Sequence, residues 1–162
     1  MAEKKYEKYV VRKADRPKEF LDPMAKGFMT QPPLIFLNGD KPIQGANQFL
    51  EVVWVFDEGA AAINPNRGPH AHKFDELFVF LGSNQKDPDD LGAEVEFWLG
   101  EKDDVEKYTF TTSTSIFVPR GLVHLPMFFR KIRRPLVLVT VGINVGEWER
   151  VGKGKYKIEE DK

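Results

Sequence analysis

The sequence predicts an all-β fold, and three observations carry that expectation. Short runs of β-branched and aromatic residues recur along the chain, Gly, Pro, Asn and Asp punctuate them at short intervals, and no segment sustains a helical period. Residues 33–37 (PLIFL) form the first such run and stop at Asn38-Gly39. Residues 48–56 (QFLEVVWVF) follow and give way to Glu58-Gly59. Residues 68–72 and 76–81 (ELFVFL) make a pair that ends at Gly82-Ser83, and 94–99 (EVEFWL) runs into Gly100. Residues 107–110 and 115–118 precede the turn Pro119-Arg120-Gly121, then come 123–129 and, after Arg134-Pro135, residues 136–141 (LVLVTV). Many short strands at near-even spacing specify a sandwich or barrel.

Helix is confined to a turn or two within 18–29, because Pro23 and Gly27 interrupt the apolar spacing there. Residues 82–92 (GSNQKDPDDLG) read as a polar surface loop. The expected organisation is one domain: residues 1–47 as an N-terminal strap with edge strands, 48–145 as the barrel core, and 146–162 as a polar tail.

Composition narrows the function. A chain of 162 residues buries roughly two thirds of the surface its unfolded form exposes, so it needs neither disulfide nor metal merely to hold a core. It has no cysteine, which removes disulfide scaffolds, thiolate zinc sites, iron–sulfur clusters and cysteine nucleophiles. With 24 Lys and Arg against 25 Asp and Glu, it lacks the clustered positive excess that nucleic acid requires. Residues 1–16 contain no apolar run, and no stretch approaches the ~20 apolar residues that span a bilayer, so a cytoplasmic protein without membrane insertion is expected.

Only three histidines occur: His70, His72 and His124. In an extended strand, residues i and i+2 point to one side, so His70 and His72 present their imidazoles to the same point. Glu76 cannot join them on a straight strand, since six residues span ~20 Å. A bend between Lys73 and Asp75 would bring Glu76 back facing the histidines, at the start of the next strand. His124 follows the Pro119-Arg120-Gly121 turn by three residues and is expected to face inward with Leu122 and Pro126. Three neutral imidazoles and a carboxylate suit Fe, Mn, Ni, Zn or Cu rather than calcium.

These residues resemble the two motifs of the cupin superfamily, H-x-H-x(3,4)-E-x(6)-G and P-x-G-x(2)-H-x(3)-N. His70, His72, Glu76 and Gly82 match the first, and Pro119, Gly121 and His124 the second. The resemblance implies a small double-stranded β-helix, a jelly-roll barrel with one divalent transition metal ion near one end of its interior. It also implies that His70, His72, Glu76 and His124 are the metal ligands. Three positions depart from the pattern. The interval from Glu76 to Gly82 is one residue short, Ser113 stands where the second motif has a leading glycine, and Phe128 stands where it has its trailing Asn.

Strand parity places Phe78 and Phe80 on the side of Glu76, and Leu77, Val79 and Leu81 on the other. Both sides are therefore apolar, which points to a covering strap or to a homodimer. The expected pocket walls are Trp54, Phe78, Phe80, Pro126 and Phe128, with Arg67, and also Lys73 and Arg120, placed to receive a substrate carboxylate. Asp75 should point away from the metal, and Glu94 and Glu96 mark a solvent face. The basic cluster Arg130, Lys131, Arg133 and Arg134 reads as a hairpin tip, with substrate steering as the alternative. No G-x-S-x-G elbow, G-x-G-x-x-G or phosphate loop occurs.

The function read from this pattern is a metal-dependent small-molecule enzyme. Its work would be dioxygenase-like or Lewis-acid chemistry on an oxygen-chelating aromatic or carboxylate substrate, with Glu76 as ligand and proton acceptor. The alternative is a non-catalytic protein that holds a small ligand.

Overall fold

The computed structural model describes residues 5–12, 25–39, 42–63, 68–146 and 150–153. The described strands, in chain order, are β1 (Ile35–Gly39), β2 (Gln48–Val55), β3 (Gly59–Ala61), β4 (His70–His72), β5 (Asp75–Gly82), β6 (Asp90–Leu99), β7 (Glu106–Thr112), β8 (Thr114–Val118), β9 (His124–Arg130), β10 (Leu136–Ile143) and β11 (Arg150–Lys153). Among the described residues there is no α-helix, only short 3-10 turns such as Glu7–Tyr9 and Lys102–Asp104. No helix among them is long and apolar enough to cross a membrane.

The strands form two antiparallel sheets. One has the order β1-β2-β10-β5-β8 and the other β11-β4-β9-β6-β7, with β3 paired to the far part of β9. Neighbours in each sheet are seldom neighbours in sequence, which is the double-stranded β-helix of the cupin type; here the two sheets stack without closing into one continuous barrel. Aromatic rings fill the space between them. Phe78 meets Phe97 edge to face at 4.9 Å, and Phe80 lies 5.1 Å from Phe110 and 6.3 Å from Phe97. Such pairs add to the burial of their large apolar surfaces, which drives the two sheets together.

Pairing register fixes which residues share a face. On the inner side of the first sheet, Phe49, Gly142, Glu76 and Val118 lie in one row, and Glu51, Thr140, Phe78 and Ile116 in the next. On the outer side, Trp54, Val137 and Leu81 form a row, then Ile35, Val52, Val139 and Val79, then Leu37, Leu50, Val141, Leu77 and Phe117. Period-2 alternation with apolar residues at both phases produces these two apolar faces.

Three segments differ from the sequence expectation. The stretch from Gly82 to Gly92 is a loop only in its first part, for β6 begins at Asp90 and Leu91 is fully buried in the core. A register shift between Asp90 and Val95, with Gly92 at φ +75°, turns Leu91 inward within a polar context. The Asp90 carboxylate accepts the Gly92 N–H at 2.9 Å and pairs with Arg134 and Arg133, contacts that hold its carboxyl below the ordinary value. The basic cluster is consumed by the same strand, because Arg130 reaches Glu96 at 3.4 Å and Lys131 reaches Glu94 at 2.8 Å. Glu94 and Glu96 thus lie on the outer side of the second sheet, each with a cationic partner. Strands β3 and β11 were not legible either: β3 is three residues of Gly and Ala, and β11 lies within the stretch expected to be tail. Of the segment 18–29, residues 18–24 lie outside the described residues, and Ala25–Met29 forms a turn with Gly27 at φ +104°.

Replacement of Leu91 by Ala should lower unfolding free energy by about 2–5 kcal/mol in a urea titration, the cost of an uncollapsed core cavity. A residue of a surface loop would change it by less than about 0.5 kcal/mol.

Candidate metal centre

The four residues of the first and second motifs come together at one end of the space between the sheets. His70 and His72 sit on β4, the chain bends at Lys73 and Phe74, and Glu76 opens β5 facing back toward them. His124 starts β9 directly opposite His70 in the register. The imidazoles of His70, His72 and His124 offer nitrogens that all lie within 4.8 Å of one another. The Nε2 atoms of His70 and His72 are 3.1 Å apart, and Glu76 Oε2 lies 2.9 Å from His124 Nε2 and 3.6 Å from His72 Nε2. Burial is nearly complete, with exposures of 6% for His70, 3% for His72, 4% for Glu76 and 1% for His124.

Tautomers decide what this cluster wants. The Nδ1–H of His70 donates to the Gly68 carbonyl at 2.8 Å, and that of His124 to the Leu122 carbonyl at 3.1 Å. Each neutral ring then carries its lone pair on Nε2, which is the atom turned inward. His124 Nε2 and Glu76 Oε2 face each other at 2.9 Å, both are buried, and neither makes a hydrogen bond. Leaving such buried groups unpaired costs about 1–3 kcal/mol each. A cation shared by them removes that cost. Donors about 2.1 Å from one ion stand roughly 3.0–3.4 Å apart as neighbours, near the 3.1 Å between His70 and His72; the three imidazoles, whose nitrogens spread to 4.8 Å, form the group whose chemistry suits a divalent transition metal, with Glu76 beside His124. The backbone carbonyls on Nδ1 are the outer partners that orient ligating imidazoles.

Two contacts tie the segments bearing these ligands. Arg120, in the turn before His124, forks onto Asp75 through Nε at 3.2 Å and Nη2 at 3.0 Å, and its backbone N–H donates to the same carboxylate at 2.9 Å. Those hydrogen bonds, the side-chain ones foremost, hold the Asp75 carboxyl below its ordinary value. Gly121, at φ +84°, donates its N–H to the His72 carbonyl at 2.9 Å. Asp75 points outward, as parity expects, and Arg120 serves its carboxylate. A glycine and a serine complete the frame. A Cβ on Gly82 would stand 2.2 Å from the Asp90 carbonyl oxygen, so only glycine admits that approach. Ser113, in place of a glycine, bridges the Pro88 carbonyl and the Gly82 N–H through its hydroxyl.

The expected pocket walls divide. Phe78 is 5.7 Å from the His124 ring and borders the cluster. Phe80 packs deeper, against Phe97 and Phe110. Trp54 is on the outer face, since its neighbours Val53 and Val55 point into the core. Phe128 is also outside, its ring against Trp98 at 5.7 Å with Arg130 over it. The alternation expected from His124 onward fails at Leu125, whose φ of +70° turns the strand over. Leu125, Met127 and Phe129 then face the core, and Phe128 does not. Pro126 is fully buried just after this turn. Arg67 lies outside the described residues.

Phe74 was not anticipated. Its ring stacks on His72 at 4.5 Å and 14°, fixing the imidazole plane, and the signal for it was present in the i+2 step that continues from His70 through His72. Gly142 gives that ring room: a Cβ there would lie 2.7 Å from Phe74 and 3.0 Å from both Phe49 and Val145. Gly142→Ala should therefore cost about 1–3 kcal/mol of unfolding free energy by overpacking and should shift the His72 ring resonances. An unchanged melting curve and spectrum would contradict this packing.

No family model matches the sequence, and no curated protein matches it. Solved structures resemble it in strand arrangement. Hydroxypropylphosphonic acid epoxidase from S. wedmorenis has a TM-score of 0.38 at 18% identity over 60% of this chain and 44% of its own. Oxalate oxidase with the substrate analogue glycolate gives 0.39 at 16% identity over 59% and 41%. Vicilin from Corylus avellana (hazelnut) gives 0.45 at 12% identity over 63% and 24%. The chain spans less than half the length of each.

Proposed function

We propose that this chain is a metal-dependent enzyme of the cupin type acting on a small oxygen-chelating substrate, an aromatic or carboxylate compound. The observation that carries the reading is the pair of buried acceptors, His124 Nε2 and Glu76 Oε2, held 2.9 Å apart without a hydrogen bond. His70, His72, His124 and Glu76 would hold one divalent ion. When bound, that ion supplies Lewis acidity and, if redox-active, dioxygenase-like chemistry. His70 and His124 turn their Nε2 atoms inward, since their Nδ1 atoms are held by backbone carbonyls, and Glu76 is the group that would accept a proton from substrate at Oε2. Phe78 and the stacked Phe74 keep water from the donors. A substrate would meet an apolar wall and few acid–base groups, which suits a ring or an apolar carboxylate better than a sugar.

One observation favours a second reading, a protein that keeps the ion for stability or for ligand storage without turnover. All four donor side chains are at most 6% exposed.

Metal analysis after loading with Fe, Mn, Ni, Zn or Cu decides first. About one equivalent should bind per chain, and His124→Ala should lose it. Oxygen uptake with aromatic acids and diketones then separates the two readings: turnover supports the enzyme, and bound metal without turnover on any of them supports storage. A wild-type protein that takes up no metal on reconstitution contradicts both. A Glu76→Ala protein that keeps metal and activity contradicts the role given to Glu76.

A further inference from the structure

Thr140 and Glu51 are polar groups on the inner side of the first sheet that the metal centre does not use. Among the described residues five polar side chains are buried, and four of them are the donors His70, His72, Glu76 and His124; Thr140 is the fifth. A valine has the shape of threonine without a hydroxyl to desolvate, so packing alone gives no reason for a threonine here. The register partners of Thr140 are Glu51 on β2 and Phe78 on β5, the ring that borders His124. Residues directly opposite in a sheet have Cβ atoms about 4.5–5.5 Å apart, and diagonal neighbours stand about 7–8 Å apart. Glu51 is therefore beside Thr140, and Glu76, one row along on the next strand, is its diagonal neighbour.

Both residues fall where the apolar interior divides. Along β2, Phe49 packs with Phe36, Phe74 and Val145, whereas Val53 belongs to the larger core, and Glu51 stands between them. Along β10, Leu138 belongs to the larger core and Gly142 lies against Phe74, Phe49 and Val145, with Thr140 between. The metal donors occupy the same seam, with Phe74 stacked on His72 from one side and Phe78 near His124 from the other. Phe49 and Val53 are buried but Glu51 is only half-buried, so solvent reaches the inner side of β2 at this carboxylate.

We propose that Thr140 and Glu51 are substrate-positioning residues, which hold a hydroxyl or amine at the end of the substrate remote from its chelating oxygens. The inference rests on the function proposed above and narrows its substrate class. An ionised carboxylate accepts hydrogen bonds at about four sites, so a partner elsewhere leaves capacity for a ligand, and the threonine hydroxyl adds both a donor and an acceptor. Such a pair selects a group bearing O–H or N–H and repels an anion. The span from the donors across Thr140 to Glu51 suits one six-membered ring with a substituent at each end, and Phe78 supplies the apolar wall beside it. The substrate is then an aromatic acid with a hydroxyl or amine opposite its chelating end.

Calorimetric titration of zinc-loaded protein with salicylate, para-hydroxysalicylate and para-carboxysalicylate tests the proposal, para being counted from the shared carboxylate. All three chelate alike, and zinc has no redox chemistry to consume them. The para-hydroxy compound should bind about tenfold more tightly than salicylate, the effect of one hydrogen bond to a charged group, and the para-carboxy compound more weakly than salicylate. Thr140→Val and Glu51→Gln should each keep metal uptake and salicylate affinity while reducing the preference for the para-hydroxyl. Glu51→Gln should also remove the penalty on the para-carboxylate. Equal binding of salicylate and para-hydroxysalicylate by the wild type overturns this inference alone, and so does a preference that survives both substitutions. Loaded protein that binds none of the three overturns the substrate class as well, and a wild type that takes up no zinc overturns the metal reading and this inference with it.

Discussion

The constraint on which the rest depends is a concentration of acceptors in a dry place. The Nε2 atoms of His70 and His124, the His72 imidazole and one carboxylate oxygen meet within a few ångströms, at positions almost without solvent. Backbone carbonyls take the Nδ1 protons of His70 and His124, so those rings cannot relieve the crowding by turning a donor inward without losing a bond. Such an arrangement costs folding energy unless a cation is shared among the donors. A chain that maintains it has the form of a metal site, and the surrounding fold can be understood as what keeps it assembled.

Assembly requires distant segments to arrive together. The donors come from β4 and β9, paired in one sheet though more than forty residues apart in sequence, and from β5 in the other sheet. The Arg120–Asp75 fork and the Gly121–His72 hydrogen bond join the two stretches immediately beside the donors. Farther out, Arg130, Lys131 and Arg133, expected from the sequence at a hairpin tip, lie where the chain crosses from β9 in one sheet to β10 in the other and are clamped to β6 by ion pairs. The stack of Phe74 on His72, made possible by the absence of a Cβ at Gly142, sets the last ring. Polar contacts thus fix position at the surface, while aromatic contacts fix orientation inside.

Much of this was legible in the sequence. Alternation located every long strand to within a few residues, and the i+2 spacing of His70 and His72 with a bend before Glu76 was enough to predict a shared point for their side chains. Legibility ended where one residue alters the phase. Leu125 at positive φ inverts the alternation of β9, which moves Phe128 outside, and the irregular start of β6 hides Leu91 among Asp, Pro and Gly. Trp54 was misplaced for a different reason: β2 is apolar at both phases, so parity alone cannot say which face is the core. The three-residue strand β3 is too short and too small in side chain to leave any pattern. The pairing of Asp75 with Arg120 depends on tertiary contact between segments 45 residues apart, which composition cannot reveal.

The most direct test is X-ray absorption at the metal edge of protein loaded with one divalent transition metal. The account predicts a first shell of nitrogen and oxygen at about 2.0–2.2 Å, with the multiple-scattering signature of three imidazoles. That signature should be absent from His124→Ala, which no longer holds the ion. A spectrum of an ion bound by oxygens alone, without imidazole scattering, would contradict the central claim that these histidines form the site.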